Sequence, residues 1–400
     1  MSATQDWSPA EPNSLECIQV VFKVVERCNI NCTYCYYFNM GETTALSRPA
    51  RANLTIAEEL ASWLANGCRE LGIPRVSVSF HGGEPMLLRP AIFSKMCEAF
   101  ESKLSNVVDL SLSIQTNGTV YCDAWAAALQ RHNVSVGVSI DGMREDNDRY
   151  RLDHRGRSTF DSVVETINRL VESAFQNKSE LPSSISVLDP DVNYYSAYRF
   201  LRDLGIEQLQ FLLPDRNGDD TQFRESNDAG KVGQRLLEIF YAWLEEDNPD
   251  IRIRFIDETL RHFQVGFEPG PVRRRRKDVQ VLIVGSDGSV SVDDSYIPAL
   301  DWYENAPTYS IFDSTVRQVL SDPIYSYIEE QNSRIPDACQ KCRWRNACRG
   351  GDLENRFRSE SGFNNPSIYC ESYKVFYSGV CDLLTKNGYP NKEIQKKFGT

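Results

Sequence analysis

Residues 17–35 read CIQVVFKVVERCNINCTYC, and this stretch decides the fold. Its first ten residues, Cys17–Glu26, are mostly apolar and rich in valine and isoleucine, which predicts a buried β-strand. Cys28, Cys32 and Cys35 come directly afterwards with the spacing CxxxCxxC. The sequence therefore places three thiols on one short loop at the end of the first strand.

Strand-like and helix-like segments alternate after this loop as far as residue 213. Such alternation predicts a parallel sheet whose strands are joined by right-handed helical crossovers. Six units of this kind predict an α/β fold, a partial (β/α)6 TIM-like barrel, with functional residues at the C-terminal ends of the strands. Thr55 and Glu58 are spaced as a capping box at the start of the first long helix. The predicted strands are 17–26, 75–80, 108–115, 134–140, 183–188 and 207–213, and the predicted helices are 55–71, 90–103, 122–131, 159–174 and 195–204.

The alternation weakens beyond residue 245. Prolines and the basic run Arg273–Lys277 interrupt the chain there, and two β-like runs flank Gly285–Gly288 as in a hairpin. The basic run is either a solvated face or a docking site for an acidic peptide segment. We expect an N-terminal tail (1–16), a barrel (17–245), a bridging region with the hairpin (246–300) and a C-terminal domain (301–400).

The composition excludes several classes of function. The 400 residues carry a formal net charge of −12, which argues against nucleic acid as a partner because phosphate binding needs a basic surface. No apolar run approaches the length of a membrane span, and residues 1–15 lack the apolar core of a secretory signal. We therefore expect a cytoplasmic protein whose 12 cysteines stay reduced, and clustered reduced thiols suggest metal ligation.

The three-thiol loop suits an iron–sulfur cluster. Three thiolates bind three irons of a [4Fe–4S] cluster and leave the fourth iron open to a small molecule. A structural zinc site more often has four protein ligands. A zinc loop and an accidental grouping of buried cysteines are the alternatives at this point.

Glycine-containing polar motifs stand at the ends of the next three strands. Residues 81–85 (HGGEP) follow the second strand, residues 115–118 (QTNG) end the third, and residues 139–142 (SIDG) end the fourth. Alone, each of them is an ordinary turn, because Asn-Gly and Asp-Gly favour turns. Two glycines also allow close backbone approach, and Glu84 offers a negative partner to an ammonium group.

The cysteine loop, with Tyr34 before its last cysteine and the GGEP motif after the second strand, resembles the radical S-adenosylmethionine (SAM) superfamily. The resemblance covers roughly residues 17–375. It implies one [4Fe–4S] cluster on the three cysteines of the loop, with SAM bound at the open iron. The SAM-contacting residues that it implies are Tyr34, His81, Gly82, Gly83, Glu84, Asn117, Ser139 and Arg151.

A second group of cysteines lies in the last quarter of the chain. Cys339, Cys342 and Cys348 have the spacing CxxCxxxxxC, and Cys370 follows. On ligand chemistry alone, these four thiols suit zinc and a [4Fe–4S] cluster equally well. The group resembles the SPASM domain that extends peptide-modifying radical SAM enzymes, and this resemblance implies an auxiliary [4Fe–4S] cluster.

A full SPASM domain holds a second auxiliary cluster, and this chain departs from that pattern. Asp293 and Asp352 stand where the resemblance expects two of its cysteines, and no cysteine lies between Cys122 and Cys339. We therefore expect two [4Fe–4S] clusters in all. The neighbouring Asp294 matches the position of a catalytic base in full SPASM enzymes, with a solvated loop acid as the alternative.

Further residues resemble the cyclophane-forming branch of the SPASM maturases. This resemblance implies a maturase of ribosomally made precursor peptides that joins an aromatic ring to a β-carbon after hydrogen abstraction by the 5′-deoxyadenosyl radical. The implied partners are the precursor peptide and a one-electron reductant of the flavodoxin or ferredoxin type, with no nucleic acid and no membrane. The residues that carry the likeness are 24–37 (VVERCNINCTYCYY), 141–142 (DG), 148–151 (DRYR) and Gly156.

Three other activities compete with this interpretation. Anaerobic sulfatase maturation, which oxidises Cys or Ser to formylglycine, shares the fold, but such maturases usually keep both auxiliary clusters. Thioether crosslinking is a second rival within the class. A non-catalytic zinc scaffold with two cysteine sites is the rival of another class, and it leaves the GGEP motif beside a three-cysteine loop unexplained.

Overall fold

The structure, a computed structural model, describes residues 15–264 and 278–398 of the chain. The basic run Arg273–Lys277 and most of the expected N-terminal tail lie outside the described residues. Within them, no helix combines the length and the apolar character needed to cross a membrane. The strands are β1 Cys17–Val25, β2 Ile30–Cys32, β3 Arg75–Gly82, β4 Asp109–Thr116, β5 Ser135–Ser139, β6 Arg151–Asp153, β7 Ser183–Val187, β8 Gln208–Leu212, β9 Arg252–Ile253, β10 Val279–Val284, β11 Ser289–Ser291 and β12 Tyr309–Ser310. The α-helices are α1 Tyr36–Asn39, α2 Thr44–Ser47, α3 Leu54–Leu71, α4 Pro90–Leu104, α5 Asp123–Arg131, α6 Arg144–Asn147, α7 Phe160–Asn177, α8 Tyr194–Asp203, α9 Thr221–Glu225, α10 Asp228–Glu246, α11 Arg254–Phe263, α12 Leu300–Glu304, α13 Val316–Leu320, α14 Pro323–Ser333, α15 Arg345–Cys348, α16 Cys370–Lys386 and α17 Asn391–Phe398.

Ten strands of the described residues form one sheet, in the order β12-β11-β10-β1-β3-β4-β5-β7-β8-β9. In its centre β1, β3, β4, β5, β7 and β8 are parallel neighbours, and helices connect them. These are the six strands that the alternating pattern predicted, so the partial (β/α)6 barrel is confirmed. Within the described chain the edge strands β9 and β12 do not pair with each other, which leaves the barrel open.

The barrel strands have an apolar outer face and a polar inner face. On β1, Ile18, Val20, Phe22 and Val24 are fully buried in the core beneath the helices. Burial of this outer face stabilises the layered arrangement of helix and sheet. The inner faces of the strands surround a cavity of about 550 Å³. The serine and glutamine residues that line it are Ser79, Ser113, Gln115, Ser135, Ser183, Ser184, Gln208 and Gln210.

The C-terminal part of the chain packs on the barrel through α10 and α16. Gly233 on α10 allows this close approach, because a Cβ there would lie 2.7 Å from Ser372 O and 2.8 Å from Val375 Cβ. Ser372 Oγ also donates a hydrogen bond of 2.5 Å to Ala229 O. Since Cys370 begins α16, this contact fixes one of the predicted cluster ligands against the barrel.

The predicted hairpin around Gly285–Gly288 is confirmed, and it extends the barrel sheet. β10 and β11 are antiparallel, whereas β10 pairs with β1 in parallel from Cys17 opposite Val279 onward. The sheet therefore runs across the expected domain change near residue 245. The division into a barrel and a bridging region stays a prediction. Because Asp294 directly follows the hairpin, it lies near the C-terminal end of β1.

The predicted capping box at the start of α3 is wrong. The helix begins at Leu54, and Asn53 is its N-cap, since the Asn53 side chain accepts a hydrogen bond of 3.1 Å from Ile56 N. Asparagine caps a helix as well as threonine does, and Thr55 already lies inside the first turn.

Candidate active site

The three-thiol loop lies at the C-terminal end of β1, as the sequence predicted. Cys32 ends β2, which pairs with β6 so that Cys32 lies opposite Arg151. The thiols of Cys28, Cys32 and Cys35 are free. Burial raises the pKa of Cys28 to about 12, and the proximity of the other two thiols adds to the rise. The three predicted ligands are therefore near enough to influence one another electrostatically, although the described residues contain no group of three such side chains placed to hold a single metal ion.

Gly82 and Gly83 let the end of β3 pack directly against the backbone that leads into the cysteine loop. Gly82 has a φ of +129°, and a Cβ there would lie 2.1 Å from Val25 O. A Cβ on Gly83 would lie 2.3 Å from Arg27 O and 2.8 Å from Cys28 N. Gly83 N also donates to Val25 O at 2.7 Å. The paired glycines are thus a steric requirement of the loop.

The Glu84 carboxylate ties the end of β3 to the end of β4. Its Oε1 accepts hydrogen bonds from Thr116 Oγ1 at 2.7 Å and Met86 N at 2.9 Å, and its Oε2 accepts one from Asn117 N at 2.7 Å. The side chain is fully buried, and this burial raises the pKa of Glu84 to about 7. Both oxygens are engaged, and a contact with the SAM ammonium stays a prediction.

Asn117 and Ser139 lie at the ends of β4 and β5. Asn117 Nδ2 approaches Cys28 Sγ at 3.7 Å and donates to Asn29 Oδ1 at 2.9 Å, so this side chain touches the cysteine loop. Ser139 Oγ accepts a hydrogen bond of 2.9 Å from Gln115 Nε2 on the inner side of the barrel. The structure therefore places Asn117 at the predicted cluster and Ser139 beside the cavity.

Tyr34, Asp141 and Arg151 form a buried chain of hydrogen bonds beside Cys32. Tyr34 Oη donates to Asp141 Oδ2 at 2.6 Å, and Arg151 Nη1 donates to Tyr34 Oη at 2.8 Å. Arg151 is buried, and its Nε is without a hydrogen-bond partner among the described residues. A buried guanidinium N–H without an acceptor is costly, so this site is suited to a carboxylate ligand.

Asp294 is buried at the end of the hairpin and is not the solvated loop acid that was its alternative. Its Oδ2 lies 2.5 Å from Lys23 Nζ and accepts a hydrogen bond of 3.0 Å from Tyr36 Oη. Burial has the largest single effect on the pKa of Asp294 and raises it, but the Lys23 charge and the hydrogen bonds from Lys23 and Tyr36 act together in the other direction, and the net pKa is lowered. Sequence reasoning missed Lys23 and Tyr36; the signal was a lysine on the inner face of a strand that has no other charged residue.

His81 and Asp215 complete the surroundings of this ion pair. His81 Nδ1 lies 3.5 Å from Lys23 Nζ, and burial, followed by the Lys23 charge, lowers the pKa of His81 to about 3. Burial raises the pKa of Asp215, in the loop after β8, to about 7, and the Asp294 charge adds to the rise. A neutral imidazole and a second carboxyl group therefore face the pair.

The second group of thiols shares one cavity. Cys339, Cys342, Cys348 and Cys370 line it, together with Tyr373 and other residues. Burial raises the pKa of Cys348 to about 12, and the other three thiols add to the rise. Four free thiols on one cavity match the ligand set predicted for an auxiliary cluster.

The two aspartates at the expected cysteine positions of the missing cluster approach Glu354. Burial raises the pKa of Glu354 to about 8, and the nearby charges of Asp352 and Asp293 add to the rise. Asp352 Oδ2 also accepts a hydrogen bond of 3.2 Å from Tyr373 Oη. Carboxylates occupy this region, and its described residues supply no thiol at either position.

Comparisons with known proteins relate this geometry to a family. Residues 22–203 match the radical SAM superfamily. A cysteine-type anaerobic sulfatase-maturating enzyme of Clostridium novyi is 24% identical over 365 residues, covering 90% of this chain and 93% of the relative. A serine-type anaerobic sulfatase-maturating enzyme of Bacteroides thetaiotaomicron is 26% identical over 375 residues, covering 89% of this chain and 87% of the relative.

A solved structure shares the fold. The structure of native anSMEcpe with bound AdoMet (SAM) has a TM-score of 0.76, at 22% identity, over 93% of this chain and 98% of that one. The structure of the same protein with bound AdoMet and the Cp18Cys peptide has a TM-score of 0.74 at 23% identity, over 93% of this chain and 98% of that one.

The expectation of a cyclophane-forming maturase is wrong. Relatives that match about nine tenths of the chain include sulfatase-maturating enzymes of the cysteine and serine types. The physical reason is that residues 24–37 and 148–151 surround the cysteine loop and Arg151. The likeness on these residues is therefore confined to the neighbourhood of the three thiols and does not specify which bond of the substrate changes.

The radical SAM superfamily uses a [4Fe–4S] cluster and SAM, and the residues present fit both. Three thiols lie on one loop, and Gly83 packs against the backbone of that loop. Arg151 Nε is buried and has no hydrogen-bond partner among the described residues, so it can donate to a ligand. The superfamily match over residues 22–203, the partial barrel and the position of the three thiols agree, and they identify this part of the chain as the radical SAM domain of an oxidoreductase.

Proposed function

We propose that the chain oxidises a cysteine or serine side chain of a peptide substrate to formylglycine, as an anaerobic sulfatase-maturating enzyme. The observation that carries the proposal is the similarity to both types of these enzymes over nearly the whole of each chain. A peptide substrate is supported by the related fold of anSMEcpe, which has been solved with a bound peptide. Sulfatase maturation thus replaces cyclophane formation as the main hypothesis.

Two [4Fe–4S] clusters form part of this proposal. Cys28, Cys32 and Cys35 would hold the first, and Cys339, Cys342, Cys348 and Cys370 would hold the auxiliary one. When bound, the first cluster and SAM supply the 5′-deoxyadenosyl radical that removes a hydrogen atom from the substrate. The protein's task is then to bind, orient and shield the reactants.

Residues around the three-thiol loop would bind SAM. Arg151 would pair with the SAM carboxylate through its free Nε, since a charge-assisted bond there removes the cost of an unpaired guanidinium N–H. Gly82 and Gly83 would support this site by letting the end of β3 pack against the backbone of the cysteine loop. The other residues proposed to line this site are Tyr34, His81, Glu84, Asn117 and Ser139.

The substrate side chain would enter at the C-terminal ends of the barrel strands, beside the three-thiol loop and Asp294. Asp294 would accept the proton that leaves the oxidised side chain, because the Lys23 charge keeps its carboxylate ionised. The substrate radical must also lose one electron, and an iron–sulfur acceptor is the class of oxidant required.

The two substrates give distinguishable products. Oxidation of serine removes two hydrogens and yields the aldehyde directly. Oxidation of cysteine yields a thioaldehyde, which water converts to the same aldehyde with release of sulfide. Since relatives of both types match this chain about equally well, both substrates have to be tested.

The test is a peptide assay with the anaerobically reconstituted enzyme, SAM and a flavodoxin-type reductant. Matched peptides with Cys or Ser at the target position are analysed by mass and by reaction of the aldehyde with a hydrazide. We expect an aldehyde product from at least one peptide. A variant with Cys28, Cys32 and Cys35 changed to alanine should form none, whereas Cys122→Ala, at an exposed lone cysteine, should remain active. Unchanged peptides in the presence of SAM cleavage would reject the proposal.

Cluster content is measured on the same samples. About eight irons per chain are expected in the parent and about four in the triple alanine variant, as two [4Fe–4S] clusters require. About twelve irons would show that a further cluster forms in spite of Asp293 and Asp352. Zinc without iron would support the scaffold alternative.

A further inference from the structure

Lys23 is a charged residue on the inner face of β1 whose presence no motif of the sequence explains. Its side chain is 0% exposed. Burying an ammonium is expensive unless it is paired and hydrogen-bonded. Lys23 Nζ meets that condition: it lies 2.5 Å from Asp294 Oδ2, 3.2 Å from Tyr36 Oη and 4.3 Å from the centre of the Tyr37 ring.

The contacts of Lys23 hold two distant parts of the chain together. Asp294 follows the hairpin, and Tyr36 directly follows the last cysteine of the three-thiol loop. Lys23 Nζ and Tyr36 Oη converge on the same oxygen of Asp294. With one carboxylate oxygen fixed by two donors, the orientation of the carboxylate is fixed as well.

The other groups that face Asp294 cannot replace the lysine. His81, on β3, is neutral near pH 7 because burial and the Lys23 charge lower its pKa to about 3. Asp215, in the loop after β8, carries the opposite sign and destabilises a second negative charge. Tyr303, on α12, also lies near Asp294, and burial first and the Asp294 charge next raise its pKa.

We propose that Lys23 is a positioning residue of the oxidation, which holds the Asp294 carboxylate in the orientation and charge state that accept the substrate proton. This inference rests on the proposed function. Lys23 acts after hydrogen abstraction, when the substrate radical is oxidised, and it acts through Asp294 without contacting the substrate.

In the step that Lys23 serves, the β-carbon of the substrate would already have lost one hydrogen atom to the radical that SAM supplies when bound. The carbon radical then loses one electron to an iron–sulfur acceptor, while the O–H or S–H bond breaks and its proton goes to Asp294. A C=O or C=S double bond forms, and Asp294 becomes neutral beside the Lys23 ammonium. Loss of the lysine therefore affects the proton transfer and leaves hydrogen abstraction intact.

The experiment compares Lys23→Met, which keeps the length and removes the charge, with Lys23→Arg, which keeps the charge. Lys95→Met, at an exposed lysine on α4, is the matched control. Iron content and SAM binding are measured first in each holoenzyme. The amounts of formylglycine and 5′-deoxyadenosine are then determined between pH 6 and pH 9, a range of about three units chosen to span the ordinary titration of a buried carboxyl group.

We expect Lys23→Met to form 5′-deoxyadenosine with at least about tenfold less formylglycine per turnover near pH 7, since a rise of one unit in the pKa of the base protonates tenfold more of it. In wild type the lysine lowers the Asp294 pKa. Without the lysine, burial raises the pKa of Asp294. The ratio of formylglycine to 5′-deoxyadenosine should therefore recover as the pH increases and Asp294 ionises. Lys23→Arg should restore part of the ratio. An unchanged ratio in Lys23→Met, or a loss that is the same at every pH, would overturn the proposal.

A second measurement separates this inference from the proposed function. Infrared difference spectra of ¹³C-aspartate protein, wild type minus Asp294→Asn, report the protonation of Asp294 without turnover. A higher titration midpoint in Lys23→Met than in wild type supports the control of Asp294 by Lys23 even if no peptide becomes formylglycine, in which case only the proposed function fails. The same midpoint in both proteins would refute the role of Lys23.

Discussion

Replacing Gly83 by alanine tests the link between the GGEP motif and the cysteine loop. The new Cβ would lie 2.3 Å from Arg27 O and 2.8 Å from Cys28 N, whereas real Cβ contacts are at least 3.0 Å. The loop backbone must therefore retreat by about 0.7 Å. That movement stretches the hydrogen bonds from Gly83 N to Val25 O and from Glu84 N to Arg27 O.

The expected loss of stability follows from these terms. Overpacking against backbone costs about 1–3 kcal/mol, and two weakened hydrogen bonds cost about 1 kcal/mol each. We expect Gly83→Ala to lower the free energy of unfolding by about 3–5 kcal/mol and to retain about four irons per chain, those of the auxiliary cluster. Anaerobic urea unfolding and iron analysis measure the two effects. Gly230→Ala, where the Cβ meets only the end of the Asn227 side chain, is the control. Parental stability and full iron content in Gly83→Ala would refute the reasoning.

Three further predictions concern charge and packing. In the parent, the raised pKa of Asp215 should make the free energy of unfolding fall by at most about 3 kcal/mol between pH 4 and pH 7, because a carboxyl group with a raised folded-state pKa favours folding at low pH and loses that contribution as the pH rises. Asp215→Asn should abolish this fall, which unfolding measured at a series of pH values detects. Arg151→Gln should weaken SAM binding by about tenfold or more in equilibrium dialysis, because a charge-assisted hydrogen bond contributes about 1.5–3 kcal/mol; unchanged affinity would exclude this contact. Gly233→Val should lower stability by about 1–3 kcal/mol and reduce auxiliary iron, because it pushes α16 and Cys370 away from α10; normal iron content would show that the helix contact does not support the cluster.

The barrel could be predicted from the sequence because its signal is local. Each barrel strand from β1 to β8 is a short segment with apolar residues on its outer face, and each connecting helix has its own pattern, so element type and order followed directly. The start of α3 was misplaced because Asn53 and Thr55 are both good capping residues. Local sequence does not decide between two such neighbours when tertiary packing fixes the first turn.

The pairing of β10 with β1 could not be predicted. The hairpin itself is signalled by Gly285–Gly288, but its place in the sheet depends on contacts between residues near positions 20 and 280. The same long-range contact creates the ion pair between Lys23 and Asp294. The cysteine spacing identifies each thiol group, whereas the partners of a buried lysine depend on the whole fold.

The choice of reaction was wrong for a related reason. The motifs that stand out in the sequence surround the cysteine loop and Arg151, where we propose that the cofactor binds. No comparable motif marks the residues that would contact the substrate. Sequence motifs therefore identified the radical chemistry but gave no information on the fate of the substrate.

The most direct test of the central claim follows the hydrogen atom itself. A peptide with deuterium on the β-carbon of its target Cys or Ser is incubated with the reduced holoenzyme and SAM, and 5′-deoxyadenosine and peptide are analysed by mass spectrometry. The account predicts deuterium in 5′-deoxyadenosine together with an aldehyde in the peptide, and both should be absent from the Cys28, Cys32 and Cys35 triple alanine variant. Deuterium-free 5′-deoxyadenosine beside an unchanged peptide would contradict it.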